Sequence, residues 1–382
     1  KPLIHIGYFS ADFTQHPVSV LTARLFELHD RSCFKIFAFN LGPRDNSAMQ
    51  QRLRAGFDQF LDVAELSDPA IAKLSRKLGI DIAIDLKGYT RDSRPGIFAE
   101  RCAPLQVNYL GFPGTMGAPY MDYIIADPVT MPAHFQHGYT EKLATLPHTL
   151  FATDNTRPIA DRTPSRESMG LPNDGLVFCC FNNLYKITPE VFAVWMEIMR
   201  EVPRSVLWLR ELNPVMAKNL RASAQTHGIA PERLVFAGRV ASMDDHLARH
   251  RLADLFLDTF PFTAQTTASD ALWMGCPVLT CTGRTFSARA GTSLVGASGL
   301  ADLVKLLAGK DNPNMLPHEV KPLADFGYLA PPQDFEDGIA DAEQRRGVRE
   351  RYAMGNDGCR GKRAREQGIG LRIRVPDALV RF

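Results

Sequence analysis

Long apolar runs are missing from this sequence of 382 residues. No stretch of ~18 consecutive apolar residues occurs, which argues against a membrane-spanning helix. The first seven residues, KPLIHIG, enter a strand-like pattern without the charged region, apolar region and cleavage site of a secretory leader. The formal net charge is +2, which is too small to indicate nucleic-acid binding. We therefore expect neither a membrane nor a nucleic acid as a partner.

Cysteine is scarce, and its spacing shows no pairing. The seven cysteines are scattered, and no C-x-x-C pair occurs. Two of them, Cys179 and Cys180, lie inside an apolar run typical of a buried strand. We interpret the cysteines as reduced, packed thiols of a cytoplasmic protein, and we expect no zinc site.

Several catalytic motifs are absent as well. No G-x-G-x-x-G follows a predicted strand, which argues against a dinucleotide enzyme, and no G-x-S-x-G occurs, which argues against an α/β-hydrolase. The sequence has no D-x-D, so nothing indicates a carboxylate-held metal at a sugar diphosphate. We expect neither a metal nor a cofactor. The negative charge of a leaving group would then have to be stabilised by a lysine, by hydroxyl groups and by a helix dipole.

Short apolar runs alternate with amphipathic stretches along most of the chain. Predicted strands cover residues 3–9, 34–40, 80–86, 105–110 and 123–127 in the first half, and 176–181, 205–209, 234–236, 255–258 and 277–280 in the second. Helical spacing is clearest at 189–200 and 268–274. This alternation predicts an α/β fold of two Rossmann-like domains facing each other across a cleft, at 1–157 and 158–304. A proline-rich and then arginine- and glycine-rich tail covers 305–382 and is either an irregular tail or a basic binding arm.

The most informative run is FNNLYKI at 181–187. It places Lys186 just beyond a strand, where ligands bind in open α/β folds. About eighty residues later, Thr266 and Thr267 open a helix whose free N–H groups and dipole favour an anion. Together the two elements predict a cradle for a diphosphate leaving group. The alternatives are a surface lysine and ordinary N-capping by threonine.

Two sets of polar residues could complete a nucleotide site. Asp270 could complement the helix dipole or accept a hydrogen bond from a ribose hydroxyl. His246 and Arg249 share one face of a predicted helix at 244–252. They could reach a ribose or phosphate, or they could belong to a solvated polar face.

The first half of the chain contains one titratable residue and one turn that are candidates for the functional site. His16 follows the first strand, and an imidazole there could serve as a general base or be structural. The glycine–proline turn at 111–115 could let the backbone approach a ligand or merely connect two elements.

These residues resemble the catalytic region of O-linked N-acetylglucosamine transferases and their SPINDLY-type bacterial relatives. The matching segments include GYFSADF at 7–13, LKGYT at 86–90, residues 101–106, 110–115, 121–124, 141–149, FNNLYKI at 181–187, residues 251–259 and TTASDALW at 266–273. The resemblance covers roughly residues 3 to 304. It implies a GT-B fold and an inverting, metal-independent transfer of N-acetylglucosamine from UDP-N-acetylglucosamine to serine or threonine hydroxyls of proteins.

The resemblance also implies roles for individual residues. Lys186 would contact the diphosphate and assist its departure, and His16 would act as a base or a positioning group. Further nucleotide-sugar contacts would come from Asn183, Tyr185, Ala241, His246, Arg249, Gln265, Thr266, Thr267 and Asp270. The sugar pocket would be lined by Leu110, Gly111, Pro113, Gly114 and Thr115. Helical repeats usually precede this region in the family.

Three departures from the family pattern bear on the donor. Gln265 replaces a histidine, Met243 replaces a lysine found in animal members, and no amphipathic closing helix follows Val304. Two alternatives stay open: a protein O-fucosyltransferase that uses GDP-fucose, and a non-catalytic relative that binds nucleotide sugars.

Overall fold

A computed structural model describes residues 3–211, 213–240 and 242–306 of the chain. It divides into two compact units between Thr156 and Arg157, one residue before the boundary predicted from the sequence. Each unit has its own parallel sheet.

The first unit carries its helices between successive strands. Its strands are β1 (Ile4–Ser10), β2 (Phe34–Asn40), β3 (Gln59–Asp62), β4 (Ile82–Asp85), β5 (Leu105–Asn108), β6 (Tyr123–Ala126) and β7 (Lys142–Thr145). Its helices are α1 (Pro17–Glu27), α2 (Ala48–Gly56), α3 (Asp68–Lys77) and α4 (Gly96–Ala99). Within the described residues the strands form one seven-stranded parallel sheet in the order β3-β2-β1-β4-β5-β6-β7.

Aromatic side chains fill one face of this sheet. Phe9 and Phe39 stack with ring centroids 4.2 Å apart, and Phe98 packs edge-on against Phe9. All three are buried with Phe37 and Ile71 in one cluster. Each such side chain contributes roughly 1.5–3 kcal/mol through burial, and this core holds the loops at the carboxyl edge in place.

The second unit repeats the arrangement. Its strands are β8 (Val177–Cys180), β9 (Val206–Arg210), β10 (Leu234–Ala237), β11 (Leu255–Leu257), β12 (Val278–Thr282) and β13 (Val304–Leu306). Its helices are α5 (Pro189–Glu201), α6 (Pro214–Thr226), α7 (Met243–Arg249), α8 (Thr266–Trp273) and α9 (Ala290–Ala297). The described strands form one six-stranded parallel sheet in the order β10-β9-β8-β11-β12-β13.

Helix α5 shows how the local sequence sets these elements. The Thr188 side chain accepts a hydrogen bond from the Val191 N–H, and Pro189 occupies the first turn, where proline is well tolerated. Phe192, Trp195 and three other apolar residues recur at helical spacing and are buried. The helix therefore starts directly after the FNNLYKI run and fixes its C-terminal end.

The strand order places a topological switch point in each unit. The chain runs from β1 outward to β3 and then returns to place β4 on the other side of β1; β8 and β11 have the same relation. At such a point the loops that leave the two central strands diverge and open a crevice at the carboxyl edge. Ligand-binding residues are therefore expected after β1, β4, β8 and β11.

All ten strands predicted from the sequence are present. The three strands that were missed, β3, β7 and β13, lie at the edges of their sheets. Each is only three or four residues long, so it lacks the continuous apolar run of a central parallel strand. Strand β13 extends to Leu306, two residues past the predicted end of the second domain.

Two predicted helix boundaries need correction. The helix predicted at 268–274 begins two residues earlier, at Thr266. The helix predicted at 244–252 is α7, Met243–Arg249, followed by a separate 3-10 turn, His250–Leu252. Both differences are at helix ends, where apolar periodicity does not determine the first or last residue.

Most of the predicted tail at 305–382, together with the expectation that it lacks a closing helix, lies outside the described residues. Across the part of the chain that the structure describes, no helix is both long and apolar enough to cross a membrane.

Candidate functional site

The candidate donor site lies at the switch point of the second unit. Strands β8 and β11 are hydrogen-bonded neighbours, so the loops that follow them leave the sheet side by side. The first loop contains Asn182 and Lys186, and the second contains Asp258 and Thr263 before entering α8. The sequence places polar side chains directly after both central strands.

Lys186 is buried, with 9% of its surface exposed. Its Nζ donates a hydrogen bond to the Thr263 carbonyl at 3.1 Å and lies 4.1 Å from the centroid of the Phe262 ring. Burial lowers the lysine pKa to about 8, while the nearby Asp258 carboxylate opposes that shift. The interpretation of Lys186 as a surface lysine is therefore wrong. A largely protonated amine with few neighbours to neutralise it is suited to an anionic ligand.

The start of α8 is the second part of this site. Gln265 is the N-cap residue, and its side chain makes no capping hydrogen bond. The threonines lie inside the first turn, and the Thr267 hydroxyl donates to Asn182 Oδ1. N-capping by threonine is therefore wrong as an explanation for this pair. The first N–H groups of a helix have no partner within the helix, which leaves them for an anion.

Arg249 and His246 are packed in the interior. Arg249 is 4% exposed; it donates to the Gly238 carbonyl at 3.0 Å and to His246 Nδ1 at 2.5 Å. Its guanidinium carbon lies 4.6 Å from the Phe181 ring centroid. Burial lowers the pKa of Arg249 to about 10 and that of His246 to about 2. The interpretation as a solvated polar face is therefore wrong, and His246 is neutral.

Asp270 is held by a partner that sequence reasoning did not consider. It is the fifth residue of α8, beyond the first turn, so it does not complement the helix dipole there. Its Oδ1 accepts a hydrogen bond from Arg157 Nη1, and both side chains are less than 10% exposed. The other oxygen, Oδ2, lies 3.9 Å from His246 Nε2. Because His246 is neutral, this second contact is a dipolar contact and not an ion pair.

The remaining predicted donor residues have varied exposure. Asn183 and Tyr185 are exposed, Tyr185 at 73%. Gln265, Thr266 and Thr267 are half-buried. Ala241 lies outside the described residues. The assignments of all these residues to nucleotide-sugar binding stay predictions.

In the first unit, His16 also lies at a switch point. Strands β1 and β4 are neighbours; Asp12 and His16 follow β1, and Lys87 follows β4. Lys87 is 4% exposed and its Nζ donates to Asp12 Oδ2 at 2.7 Å. The same carboxylate oxygen lies 3.5 Å from His16 Nδ1. The structure thus joins three chemistry-bearing side chains, of which sequence reasoning had selected only His16.

His16 is also a helix cap. Its Nδ1 accepts a hydrogen bond from the Val18 N–H at 3.3 Å, and the ring is 41% exposed. Burial lowers its pKa, Asp12 raises it, and Lys87 lowers it again. A neutral ring that accepts at Nδ1 carries its proton on Nε2. This tautomer suits a hydrogen-bond donor and favours the positioning role of His16 over that of a base.

The turn at 110–115 is tightly braced. Leu110 has a φ of +67°, a left-handed conformation that is uncommon outside glycine. A Cβ on Gly111 would lie 1.9 Å from the Leu86 carbonyl oxygen, so only glycine fits there. The Gly114 carbonyl accepts from Asn108 Nδ2 at 3.1 Å, and the Thr115 hydroxyl donates to Glu141 at 2.6 Å. Such a rigid turn can present backbone to a sugar, and that role stays a prediction.

A sequence signal for the missed residues did exist. Asn182, Asp258, Asp12 and Lys87 each come within two residues of the end of a central strand. A search for polar residues after every central strand would have found all four. Arg157 carries no such signal, because it lies in an irregular segment and its partner is 113 residues away.

Comparison with known proteins places the chain among glycosyltransferases. The family described as Glycosyl transferase family 41 matches residues 2–163 and 152–312. The chain is 39% identical over 302 residues to a probable UDP-N-acetylglucosamine–peptide N-acetylglucosaminyltransferase SEC of Arabidopsis thaliana, covering 78% of this chain and 31% of that protein. It is 29% identical over 415 residues to the UDP-N-acetylglucosamine–peptide N-acetylglucosaminyltransferase of Caenorhabditis elegans, covering 79% and 36%. The chain thus spans about a third of the length of these relatives.

Solved structures of glycosyltransferases have a similar fold. An O-GlcNAc transferase mutant of Thermobaculum terrenum matches with a TM-score of 0.75 and 30% identity, covering 93% of this chain and 63% of that chain. The Anabaena protein HepE in complex with UDP matches with a TM-score of 0.53 and 14% identity, covering 93% and 98%, and shows the fold alone. The prediction of an α/β fold of the GT-B type is confirmed, as is the resemblance drawn from the motifs. The chain belongs to glycosyl transferase family 41.

Proposed function

We propose that this chain transfers N-acetylglucosamine from UDP-N-acetylglucosamine to serine and threonine hydroxyls of proteins, with inversion and without a metal. The names of its relatives support this donor and this acceptor class. The observation that carries the proposal is the position of Lys186. Its side chain is buried, and its Nζ donates a hydrogen bond to the Thr263 carbonyl in the loop that precedes α8.

The chemistry would be a direct displacement. The acceptor oxygen forms a bond to the anomeric carbon as the bond from that carbon to the diphosphate oxygen breaks, and UDP leaves with the bonding electrons. Lys186 and the N–H groups at the start of α8 would stabilise the charge that develops on the diphosphate. Because the Lys186 pKa is about 8, the amine is mostly protonated near neutral pH. It therefore contributes its charge without taking up a proton first.

His16 would orient the reactants. With Nδ1 occupied by the Val18 N–H, the Nε2–H group would donate to a sugar or phosphate oxygen. The Val18 N–H would hold the ring in this orientation, and the Lys87 ammonium group would neutralise the nearby Asp12 carboxylate. The acceptor proton would pass to solvent water as the new glycosidic bond forms.

The proposal also includes a cellular compartment and a set of partners. We place the protein in the cytoplasm, because Cys33, Cys102, Cys179, Cys180 and Cys276 are free thiols and such thiols suit a reducing environment. Its partners would be a UDP-sugar donor and protein acceptors, with helical repeats upstream in a longer protein.

A transfer assay tests the proposal. The purified chain is incubated with radiolabelled UDP-N-acetylglucosamine and a mixture of serine- and threonine-containing peptides, and with the same peptides carrying alanine at those positions. We expect label only in the hydroxyl-containing peptides, and none with Lys186→Met. A parallel reaction with GDP-fucose tests the alternative donor. Labelling from GDP-fucose alone would contradict the proposed donor, and UDP binding without labelling from either sugar would support a non-catalytic relative.

A further inference from the structure

Asp258 is a buried carboxylate that none of the expected roles includes. It follows β11 directly and is 9% exposed. Its Oδ1 accepts hydrogen bonds from the backbone N–H groups of Thr259 and Ala264, both at 2.7 Å, and from Asn182 Nδ2 at 3.2 Å. Its Oδ2 accepts from the Thr280 hydroxyl at 2.7 Å. One side chain therefore ties together three segments of the second unit.

The contacts of Asp258 lead to both parts of the candidate donor site. The Asn182 amide that it holds also donates to Thr259 Oγ1 at 2.8 Å, and Asn182 Oδ1 accepts from Thr267 at the start of α8. The loop that Asp258 closes, from Thr259 to Ala264, contains the Thr263 carbonyl that accepts from Lys186. Moving Asp258 would therefore move Lys186 and the N-terminus of α8 relative to each other.

The carboxylate is enclosed and is not itself a ligand-binding group. A Cβ on Gly291 would lie 2.6 Å from Asp258 Oδ2 and 2.6 Å from Thr280 Oγ1, so backbone packs closely against this oxygen. Both oxygens already accept hydrogen bonds. Asp258 can therefore influence a bound donor only through its neighbours.

We propose that Asp258 is a positioning residue for the donor diphosphate: its hydrogen bonds fix the loop before α8 against the Lys186 loop, and its negative charge complements that of the Lys186 ammonium group. This inference rests on the proposed function and names how the same site is organised.

Charge supports the same conclusion. Burial lowers the pKa of Lys186, and the Asp258 carboxylate and the Cys180 sulfur oppose that shift. Burial raises the pKa of the Cys180 thiol, so the thiol stays neutral between about pH 5.5 and about pH 8.5 and Asp258 carries the opposing charge. Burial also raises the pKa of Asp258 itself to about 6. Above about pH 6 the carboxylate is ionised and supports the lysine charge, and below that pH this support disappears.

The variant Asp258→Asn separates charge from geometry. Asn Oδ1 can still accept the three hydrogen bonds, and its Nδ2 can donate to the Thr280 hydroxyl, which can rotate to accept. The matched control is Asp254→Asn. Asp254 is also buried and accepts from the Val177 N–H at 2.8 Å, but it precedes β11 at the opposite edge of the sheet. A third variant, Asn182→Ala, breaks the link to α8 without changing any charge.

The readout is the dissociation constant of UDP, measured by calorimetry from about pH 5.5 to about pH 8.5 and expressed as the ratio of variant to wild type. The ratio cancels the titration of UDP itself. For Asp258→Asn we expect a ratio clearly above one at about pH 8.5, because loss of the carboxylate lowers the pKa of Lys186 and leaves a smaller fraction of the amine charged. The ratio should approach one at about pH 5.5, where Asp258 is protonated in the wild type. For Asn182→Ala we expect a loss of about tenfold at every pH, and for Asp254→Asn no loss.

Failure of this inference differs from failure of the proposed function. If the wild type binds UDP and Asp258→Asn binds it equally well at every pH, or if Asp254→Asn gives the same ratios, the role of the Asp258 charge is wrong. If Asn182→Ala binds UDP as tightly as the wild type, the geometric part of the positioning role is wrong. If the wild type itself binds no UDP, the proposed function fails first. Should Asp258→Asn not fold, as judged by tryptophan fluorescence, Asn182→Ala decides the geometric part, and unchanged UDP affinity in that variant would overturn it.

Discussion

Replacing Lys186 with methionine should stabilise the second unit while weakening donor binding and abolishing sugar transfer. Burial lowers the lysine pKa from 10.5 to about 8, so the charged form is disfavoured in the folded state. A shift of that size corresponds to about 3 kcal/mol. The sign follows from proton binding: between the two pKa values the unfolded chain binds more protons, so wild-type stability rises with pH in that window. Below about pH 8 the lysine is charged in both states, and the full penalty is present.

The expected gain is smaller than this penalty, because methionine leaves the Thr263 carbonyl without its donor, at about 1 kcal/mol. We therefore expect Lys186→Met to be more stable than wild type by about 2 kcal/mol near pH 7. This difference in the free energy of unfolding should shrink by about 2 kcal/mol at pH 10, where the lysine of the folded wild type has lost most of its charge.

Urea unfolding followed by tryptophan fluorescence measures this difference. The three tryptophans of the chain are Trp195, Trp208 and Trp273, and all lie in the second unit, so the signal reports the unit that contains Lys186. The control is Lys218→Met in α6, an exposed lysine, which should change stability by less than about 0.5 kcal/mol. A Lys186→Met variant that is less stable than wild type near pH 7, or that still transfers sugar, would refute the reasoning.

Three further variants test other contacts. Gly111→Ala should destabilise the first unit by about 2–4 kcal/mol, measured by circular dichroism on heating, because its Cβ would collide with the Leu86 carbonyl; an unchanged melting temperature would contradict this packing. His16→Asn keeps a side-chain cap for α1 and should leave the melting temperature unchanged while sugar transfer falls about a hundredfold through lost positioning; a loss of transfer that is accompanied by a lower melting temperature would indicate a structural role only. Asp270→Asn leaves the Arg157 charge buried without its partner and should cost about 3–5 kcal/mol in urea unfolding, and a loss below about 1 kcal/mol would show that the pair is not buried in solution.

Much of the fold could be predicted because central parallel strands are mostly apolar. The run at residues 34–40, for instance, corresponds to β2 with the same limits. The edge strands β3 and β7 are half-exposed and mix polar with apolar residues, so their pattern does not differ from that of a loop.

The candidate site was predicted less completely, because its partners are distant in sequence. Lys186 stood out from its place after a strand. The pairing of Asp258 with Asn182 spans 76 residues, and that of Lys87 with Asp12 spans 75. The local sequence pattern cannot show such contacts. Only the strand order brings the two members of each pair to the same edge of their sheet. The burial of Arg249 was likewise hidden, since a helix face with histidine and arginine has the composition of a solvated surface.

Calorimetric titration of the purified chain with UDP and with GDP tests the central claim, that Lys186 and the start of α8 form the site for a uridine diphosphate donor. The account predicts that UDP binds more tightly than GDP, and that Lys186→Met weakens UDP binding by at least about tenfold while the Lys218→Met control does not. Tighter binding of GDP, or equal binding of UDP by wild type and Lys186→Met, would contradict it.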